Sequence, residues 1–337
     1  MQFEQKRLDL IDKYNSLQDN EIDFNSLALS LYFFQKEYNI IYRKYLNFLA
    51  KLEFEPSDWT QIPCLPIQFF KSHPIQTGAH WTAEKVFYSS GTGGRQSRHY
   101  IRNLDFYIDN TKSLFNVDIG KVESYCYLAL LPGYLEREGS SLIEMVQAFI
   151  QSSKYSQSDF YLNELDSLFN SLQECAKLKI PTILFGVSFA LLDFVEKYKP
   201  DLSTVTIIET GGMKGTSIEL SKIEIINRLQ MASGCQSIYS EYGMTELQSQ
   251  AYALDGLHFT ENKYLKIYVT EINDPFCRAK LTKSGQLNII DLANIDSCAF
   301  IQTEDLARKN DSHTFEILGR LHQSDMRGCN LLLEEIR

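Results

Sequence analysis

Three short stretches bring together residue types that handle phosphate, a divalent cation and a sugar. The first is Tyr88-Ser89-Ser90-Gly91-Thr92-Gly93-Gly94-Arg95. Glycines let a backbone approach an anion closely, and hydroxyls and N–H groups donate to its oxygens. A flexible Ser/Gly loop is the plainer reading. The stretch is not a Walker loop, because G-x-x-x-x-G-K-[ST] is absent. The second is Tyr242-Gly243-Met244-Thr245-Glu246. Its aromatic ring can stack on a base, its threonine can reach a phosphate, and its carboxylate can hold Mg²⁺, which prefers oxygen ligands and often bridges to substrate phosphates. Taken alone, a turn with a solvated Glu accounts for it as well. The third is Gln302-Thr303-Glu304-Asp305-Leu306, followed by Gly319-Arg320. A carboxylate at a strand end can take both hydroxyls of a ribose, with an Arg assisting; two ordinary surface charges are the alternative.

The elements around these stretches alternate. VFYSS (86–90) reads as a strand ending in the Gly-rich loop, and SYCYLALLP (124–132) as a buried strand before a helix over 140–153. PTILFG (181–186) is a strand followed by a helix over 187–198. STVTIIETGG (203–212) is a strand running into glycines, followed by a helix over 217–233, and QSIYSEYGMTE (236–246) is a strand and loop. This alternation predicts an α/β fold with mainly parallel sheets and flanking helices, with ligand-binding loops at the carboxyl ends of the strands. Residues 1–60 read as a helical segment, with Leu27, Leu31, Phe34, Tyr38 and Ile41 at helical spacing. QIPCLPIQFFKSH (61–73) reads as an extended connection into an α/β nucleotide- and acyl-binding core over 61–263. Residues 264–320 change to alternating strands with turn signals, a small β-rich subdomain, and 321–337 form a tail.

Composition narrows the partners. The 337 residues are 44% hydrophobic and 23% charged, with 21 Phe and 19 Tyr, as in an ordinary globular protein with an ample core. A formal net charge of −10 argues against nucleic acid, which needs a positive field. A small anion such as ATP remains possible through a nest of backbone N–H groups. The cysteines, Cys64, Cys126, Cys175, Cys235, Cys277, Cys298 and Cys329, show no C-x-x-C spacing, so a zinc site or redox pair is not expected. The polar start and the lack of any apolar run of about 18 residues predict a cytoplasmic chain with reduced thiols and no transmembrane segment.

In this order and spacing, the three stretches resemble the signatures of the acyl-adenylate-forming superfamily, which includes acyl-CoA synthetases, luciferases and adenylation domains. The resemblance covers roughly residues 60–330 and implies that family's large N-terminal domain. Within the superfamily, IPCLPIQFFKSH, SSGTGGRQSRHYI, LLPGYLEREGSSLIEM, ETGGMKG and SDMRGCNLLLEEI are similar to LuxE-type acyl-protein synthetases. Phenylacetate-CoA ligases are a more distant likeness. The closer resemblance implies that a fatty acid is activated with ATP and Mg²⁺ to acyl-AMP. The acyl group then passes to an enzyme cysteine and on to a partner acyl reductase, an acyl-CoA-reductase-like protein.

Residue by residue, the resemblance implies that Ser89, Ser90, Gly91, Thr92, Gly93 and Gly94 form the phosphate loop. Gly211 and Gly212 would line the adenine pocket and Tyr242 would flank the base. Gly243 and Met244 complete that motif, Thr245 would contact phosphate and Glu246 would hold Mg²⁺. Asp305 and Arg320 would hold the ribose, and Cys329 would accept the acyl group. A thiol attacks as its thiolate, which a cation such as Arg327 favours; packing of a small hydrophobe is the alternative. His99, after the phosphate loop, could polarise the carboxylate or satisfy a carbonyl. Tyr134 to Arg137 could line the acyl site.

Two departures stand out. The superfamily usually carries a further C-terminal domain with a lysine that promotes adenylation, and Lys214 in GGMKG is the candidate substitute here. Glu304 stands where the family has Gly. Three other readings stay open: adenylation with CoA as acceptor, a non-catalytic nucleotide- or acyl-binding subunit, and a serine acyltransferase or hydrolase. The last rests on Gly186-Val187-Ser188-Phe189-Ala190, nearly a nucleophile elbow, with His258, His313 or His322 to complete it.

Overall fold

A computed structural model describes residues 2–18, 20–79, 81–90, 95–133, 139–162, 164–211 and 220–321. Gly91 to Gly94, Tyr134 to Arg137, Gly212, Lys214, His322 and Cys329 lie outside the described residues. The chain forms two compact units. The first comprises residues 1–110, 244–249 and 261–337, and the second 111–243 and 250–260.

The second unit is built on a sheet ordered Asp159–Phe160, Cys126–Leu130, Thr182–Val187, Val205–Thr210, Ser237–Tyr242, Ala251–Ala253. All neighbours are parallel except the last pair. CYLAL and TILFGV are buried at every position, as expected of strands covered on both faces. Helices Ser141–Ser152, Leu165–Leu178, Ser188–Tyr198 and Lys222–Ser233 follow strands. The last begins at 222 rather than 217 because Ser221 and Glu224 form a reciprocal capping box. Gly234 closes it in the left-handed region at φ 67°. The sequence reading assigns neither Leu165–Leu178 nor the helix Leu104–Asp118. The Leu165–Leu178 helix nevertheless carries a regular stripe, Leu168, Leu172 and Cys175, which it buries. The Cys126 and Cys175 sulfurs lie 3.8 Å apart as buried thiols, a proximity that residues 49 apart do not advertise.

The first unit starts with helices Gln2–Asn15, Glu21–Tyr38 and Ile40–Phe48. Asn20 and Asn39 cap the second and third by accepting from the N–H of Asp23 and Tyr42. The expected stripe is buried at Leu27, Leu31 and Phe34. The β-rich part is an antiparallel sheet ordered Thr314–Arg320, Phe300–Lys309, Ser284–Asp291, Leu265–Glu271, Asp274–Arg278. Leu65–Pro66, from the proline-containing connection, pairs parallel to Phe300–Lys309. The strand Lys85–Tyr88 differs from expectation. It pairs antiparallel with Arg98–Ile101, so the Ser/Gly-rich stretch joins a two-stranded hairpin and does not follow a strand of a parallel sheet. No helix among the described residues is long and apolar enough to cross a membrane.

Candidate functional site

The hairpin ladder ends at Tyr88–Arg98, and the loop stem continues it. The Ser89 N–H donates to the Ser97 carbonyl at 3.2 Å, and the Ser97 N–H donates to Ser89 Oγ at 2.9 Å. Gln96 Nε2 donates to the Ser89 carbonyl at 2.9 Å. Ser89 is thereby fixed by its own backbone and hydroxyl, while Ser90 is half-buried beyond it.

The hairpin's second strand faces the 244–249 segment inside the same unit. His99 is fully buried, and its Nδ1 lies 2.8 Å from the Thr245 carbonyl oxygen, which makes Nδ1–H the donor. Burial pushes the imidazole down to about 4, against the opposing pull of the Thr245 carbonyl and of the nearby Asn294 side chain, which does not reach bonding geometry at Nε2, so it stays neutral near pH 7. Its Nε2 has no hydrogen-bond partner among the described residues. Ser97, two residues earlier, donates its hydroxyl to Glu246. Glu246 is 4% exposed, and burial raises its pKa more than Ser97, Arg320 and Lys71 lower it. The hairpin that carries the Ser/Gly-rich stretch, the Thr-Glu pair and the downstream arginine therefore converge within one unit.

The third stretch joins them. Asp305 and Arg320 are cross-strand partners, with Arg320 Nε 3.2 Å from Asp305 Oδ1. Glu304 accepts from Gln68 Nε2 at 3.0 Å and lies 3.7 Å from Lys71 Nζ. The helix Phe69–Ser72 and the residue before it thus hold the Glu304 carboxylate.

On the second unit, Gly211 ends the Val205–Thr210 strand at φ +78°, a conformation that favours glycine. A Cβ on Gly243 would sit 2.5 Å from Glu241 Oε1, so a side chain there would have to displace the Glu241 carboxylate. Tyr242 is 9% exposed and meets Phe259 edge-on at 5.8 Å. Met244 and Thr245 are half-buried.

Two residues that the sequence analysis missed hold the 244–249 segment. Asp291, fully buried, accepts from the N–H groups of Gln248 (2.7 Å), Ser249 (3.1 Å) and Ala293 (3.1 Å), and from Ser249 Oγ (2.7 Å). Burial still holds its pKa above the usual carboxylate value. Asn294 Nδ2 donates to the Glu246 carbonyl at 2.9 Å. The signal available was polar Asp291-Leu292-Ala293-Asn294 directly after the apolar strand GQLNII.

A second polar cluster occupies the carboxyl ends of the parallel strands. Glu209, 1% exposed, accepts from Ser188 Oγ, from Ser240 Oγ at 3.3 Å and from Lys222 Nζ. Glu241 accepts from Thr210 Oγ1. Burial pushes Glu241 up to about 7, opposed by Thr210 and reinforced by Glu209. This geometry removes the hydrolase reading: Ser188 is fully buried and its proton is committed to Glu209, so it is no exposed nucleophile. His258 is paired with Asp255 at 2.6 Å.

Among the described residues, no group of three or more His, Cys, Asp or Glu could enclose a metal ion. Glu246 and Thr245 carry oxygen donors of the hard kind that would suit Mg²⁺ with substrate phosphates and water completing its shell.

No known family model and no curated protein matches the chain by sequence. Solved structures match its fold. One is a 2-hydroxyisobutyryl-CoA ligase in complex with 2-HIB-AMP and CoA, with TM-score 0.64 and 13% identity, covering 89% of this chain and 70% of that one. Another is ATP-bound MatB from Rhodopseudomonas palustris, with TM-score 0.53 and 14% identity, covering 72% of this chain and 50% of that one. The chain has the α/β fold of the large N-terminal domain of acyl-adenylate-forming enzymes.

Proposed function

We propose that the protein activates a carboxylic acid, a fatty acid, with ATP to give acyl-AMP. It then transfers the acyl group to Cys329 and onward to a partner acyl reductase. The observation that carries this reading is the convergence of the hairpin, Thr245-Glu246 and Asp305–Arg320 in one unit through His99 and Ser97. That convergence is what adenylation demands, because phosphate loop, cation ligand and ribose carboxylate must act on one nucleotide.

In the first step a carboxylate oxygen of the acid attacks the α-phosphorus of ATP, and the bond to pyrophosphate breaks. Ser89, Ser90, Thr92 and the loop glycines donate to the phosphate oxygens as charge develops. Glu246 and Thr245 would hold Mg²⁺, which supplies charge neutralisation when bound. Asp305 accepts from the ribose hydroxyls and Arg320 orients it. Gly211, Gly212 and Tyr242 take the adenine. Neutral His99 keeps Nδ1–H on the Thr245 carbonyl and so holds the threonine in place. Lys214 is the cation available to assist. In the second step the Cys329 thiolate attacks the acyl carbon, AMP leaves with the bonding pair, and the thiol proton passes to solvent.

The test is carboxylate-dependent ATP–pyrophosphate exchange across short, long and aromatic acids, with Mg²⁺ present. Exchange with long-chain acids, together with a Cys329→Ala variant that keeps exchange but forms no labelled acyl-enzyme, is the expected result. No exchange with any acid from folded protein overturns it. A second reading uses free CoA as acceptor, favoured by the fold likeness to a ligase solved with CoA. Release of acyl-CoA by Cys329→Ala would establish that variant of the function.

A further inference from the structure

The antiparallel sheet carries a polar row on a buried face. Tyr268, Asn288 and Gln302 are direct cross-strand neighbours, and Asn288 and Gln302 are 1% and 4% exposed. They line a cavity of about 400 Å³, together with the rings of Tyr45, Phe54 and Phe276 and the cations Lys51 and Arg278. That volume lies in the range of small-molecule pockets, which are mostly apolar with a few convergent polar groups.

The polar groups have unused capacity. The Gln302 side chain makes no hydrogen bond to any described residue and lines the cavity, while its backbone carbonyl accepts from the Ile67 N–H. Asn288 spends its Nδ2 on Thr270 Oγ1 at 3.0 Å and the Gln286 carbonyl at 3.2 Å, which leaves its carbonyl oxygen to accept. An amide that lines a cavity and makes no side-chain bond within the protein keeps its donors and acceptor for a ligand.

Among the described residues the cations make neutral contacts only, with Arg278 donating to the Thr60 carbonyl. Lys51 Nζ lies 5.0 Å from the ring centres of both Phe54 and Phe276, and the Arg278 guanidinium lies 4.6 Å over Tyr268. Neither has a carboxylate partner among the described residues, in a chain of net charge −10. A neighbouring hollow of about 250 Å³ shares Arg278 and adds Lys280 and Lys283. Cys64 also lines the cavity, but burial pushes its thiol up to about 12 and it is bonded to Tyr268, so binding there is non-covalent.

We propose that this cavity binds a heteroaromatic ring with an anionic tail, of the kind a nucleoside monophosphate presents. The ring edge bonds to Gln302 and Asn288, and the anion meets Lys51 and Arg278. The site is separate from the adenylation residues: none of Ser89, His99, Thr245, Glu246, Asp305 or Arg320 lines the cavity. It goes beyond the adenylation reading and does not depend on it.

The test is saturation binding of radiolabelled AMP, UMP and nicotinate to the full chain and to three variants. These are the double variant Lys51→Ala/Arg278→Ala, Gln302→Leu and Glu246→Gln. One class of sites should weaken at least about tenfold in the double variant and in Gln302→Leu and hold in Glu246→Gln, as expected for loss of a charged or buried polar contact. Preference for AMP or UMP identifies a nucleoside phosphate, and preference for nicotinate a free heteroaromatic acid. Arg278 is exposed, so its removal tests the charge without threatening the fold. Binding lost only in Glu246→Gln overturns the proposal, as does no saturable binding of any probe. Pyrophosphate exchange, read separately on the same variants, distinguishes this failure from failure of the adenylation reading.

Discussion

Two buried polar clusters, one in each unit, meet desolvation in opposite ways. The Glu209–Glu241 cluster is closed: two hydroxyls and Lys222 satisfy Glu209, and Thr210 bonds Glu241. The Ser97–His99–Glu246 cluster is open: His99 Nε2 has no partner among the described residues, and Glu246 leans on a single described hydroxyl with more distant cations. Around the open cluster the bonding capacity goes into the backbone, through Asp291 and Asn294. Saturated polar groups mark a scaffold, whereas unspent capacity on a clamped segment marks a place prepared for a ligand.

The contrast can be broken most severely at the clamp. Asp291→Ala strands three buried N–H donors and a hydroxyl, and should lower unfolding free energy by about 5 kcal/mol in a urea titration. Next comes Lys222→Met, which leaves Glu209 buried without its cation. It should cost about 4 kcal/mol while the surviving folded protein keeps its exchange activity per mole.

The third effect is one of pH, and its sign differs between the clusters. Glu241 rises from 4.5 to about 7 on folding, so its stabilising contribution is complete below pH 4.5 and is lost as pH climbs to 7. His99 falls from 6.5 to about 4, so its contribution is complete above pH 6.5 and is lost as pH drops to 4. Each amounts to about 3 kcal/mol, and in the wild type they offset one another between pH 4.5 and 6.5. Unfolding of Glu241→Gln across this window should unmask stability that rises with pH, and His99→Gln stability that falls with it. Two flat profiles would mean that neither group is perturbed.

The smallest effect on free energy is the most informative about function. Glu246→Gln removes a desolvated charge, so thermal stability should hold or rise, while ATP–pyrophosphate exchange falls about 100-fold, or about 2.7 kcal/mol. A variant that loses stability and keeps exchange would make Glu246 a structural residue and dissolve the distinction between the clusters.

Much of this was legible in the residues. Near-continuous apolar runs such as TILFGV announced a buried parallel sheet, because a strand covered on both faces has no polar side to show. The helix start at Lys222 is missed: the sequence reading begins it at 217, although the capping pair Ser221 and Glu224 is local. Asp305 and Arg320 were grouped as partners before their ladder was visible, and the structure pairs them. The hairpin was not legible. Its strands are four residues each, and nothing in VFYSS says whether its neighbour runs parallel or antiparallel.

The sequence by itself determined the α/β character, the β-rich segment and the residue types able to meet a nucleotide, because these depend on local periodicity and side-chain chemistry. Only the tertiary structure decided which polar residues are open and which are spent. Ser188 looked like a nucleophile until burial joined it to Glu209, 21 residues away. Asp291, which the sequence analysis passed over, grips Gln248 and Ser249, 43 and 42 residues away. Burial and long-range hydrogen bonding set the protonation state and the free valence of a side chain, and neither is a property of the residue or of its neighbours in the chain.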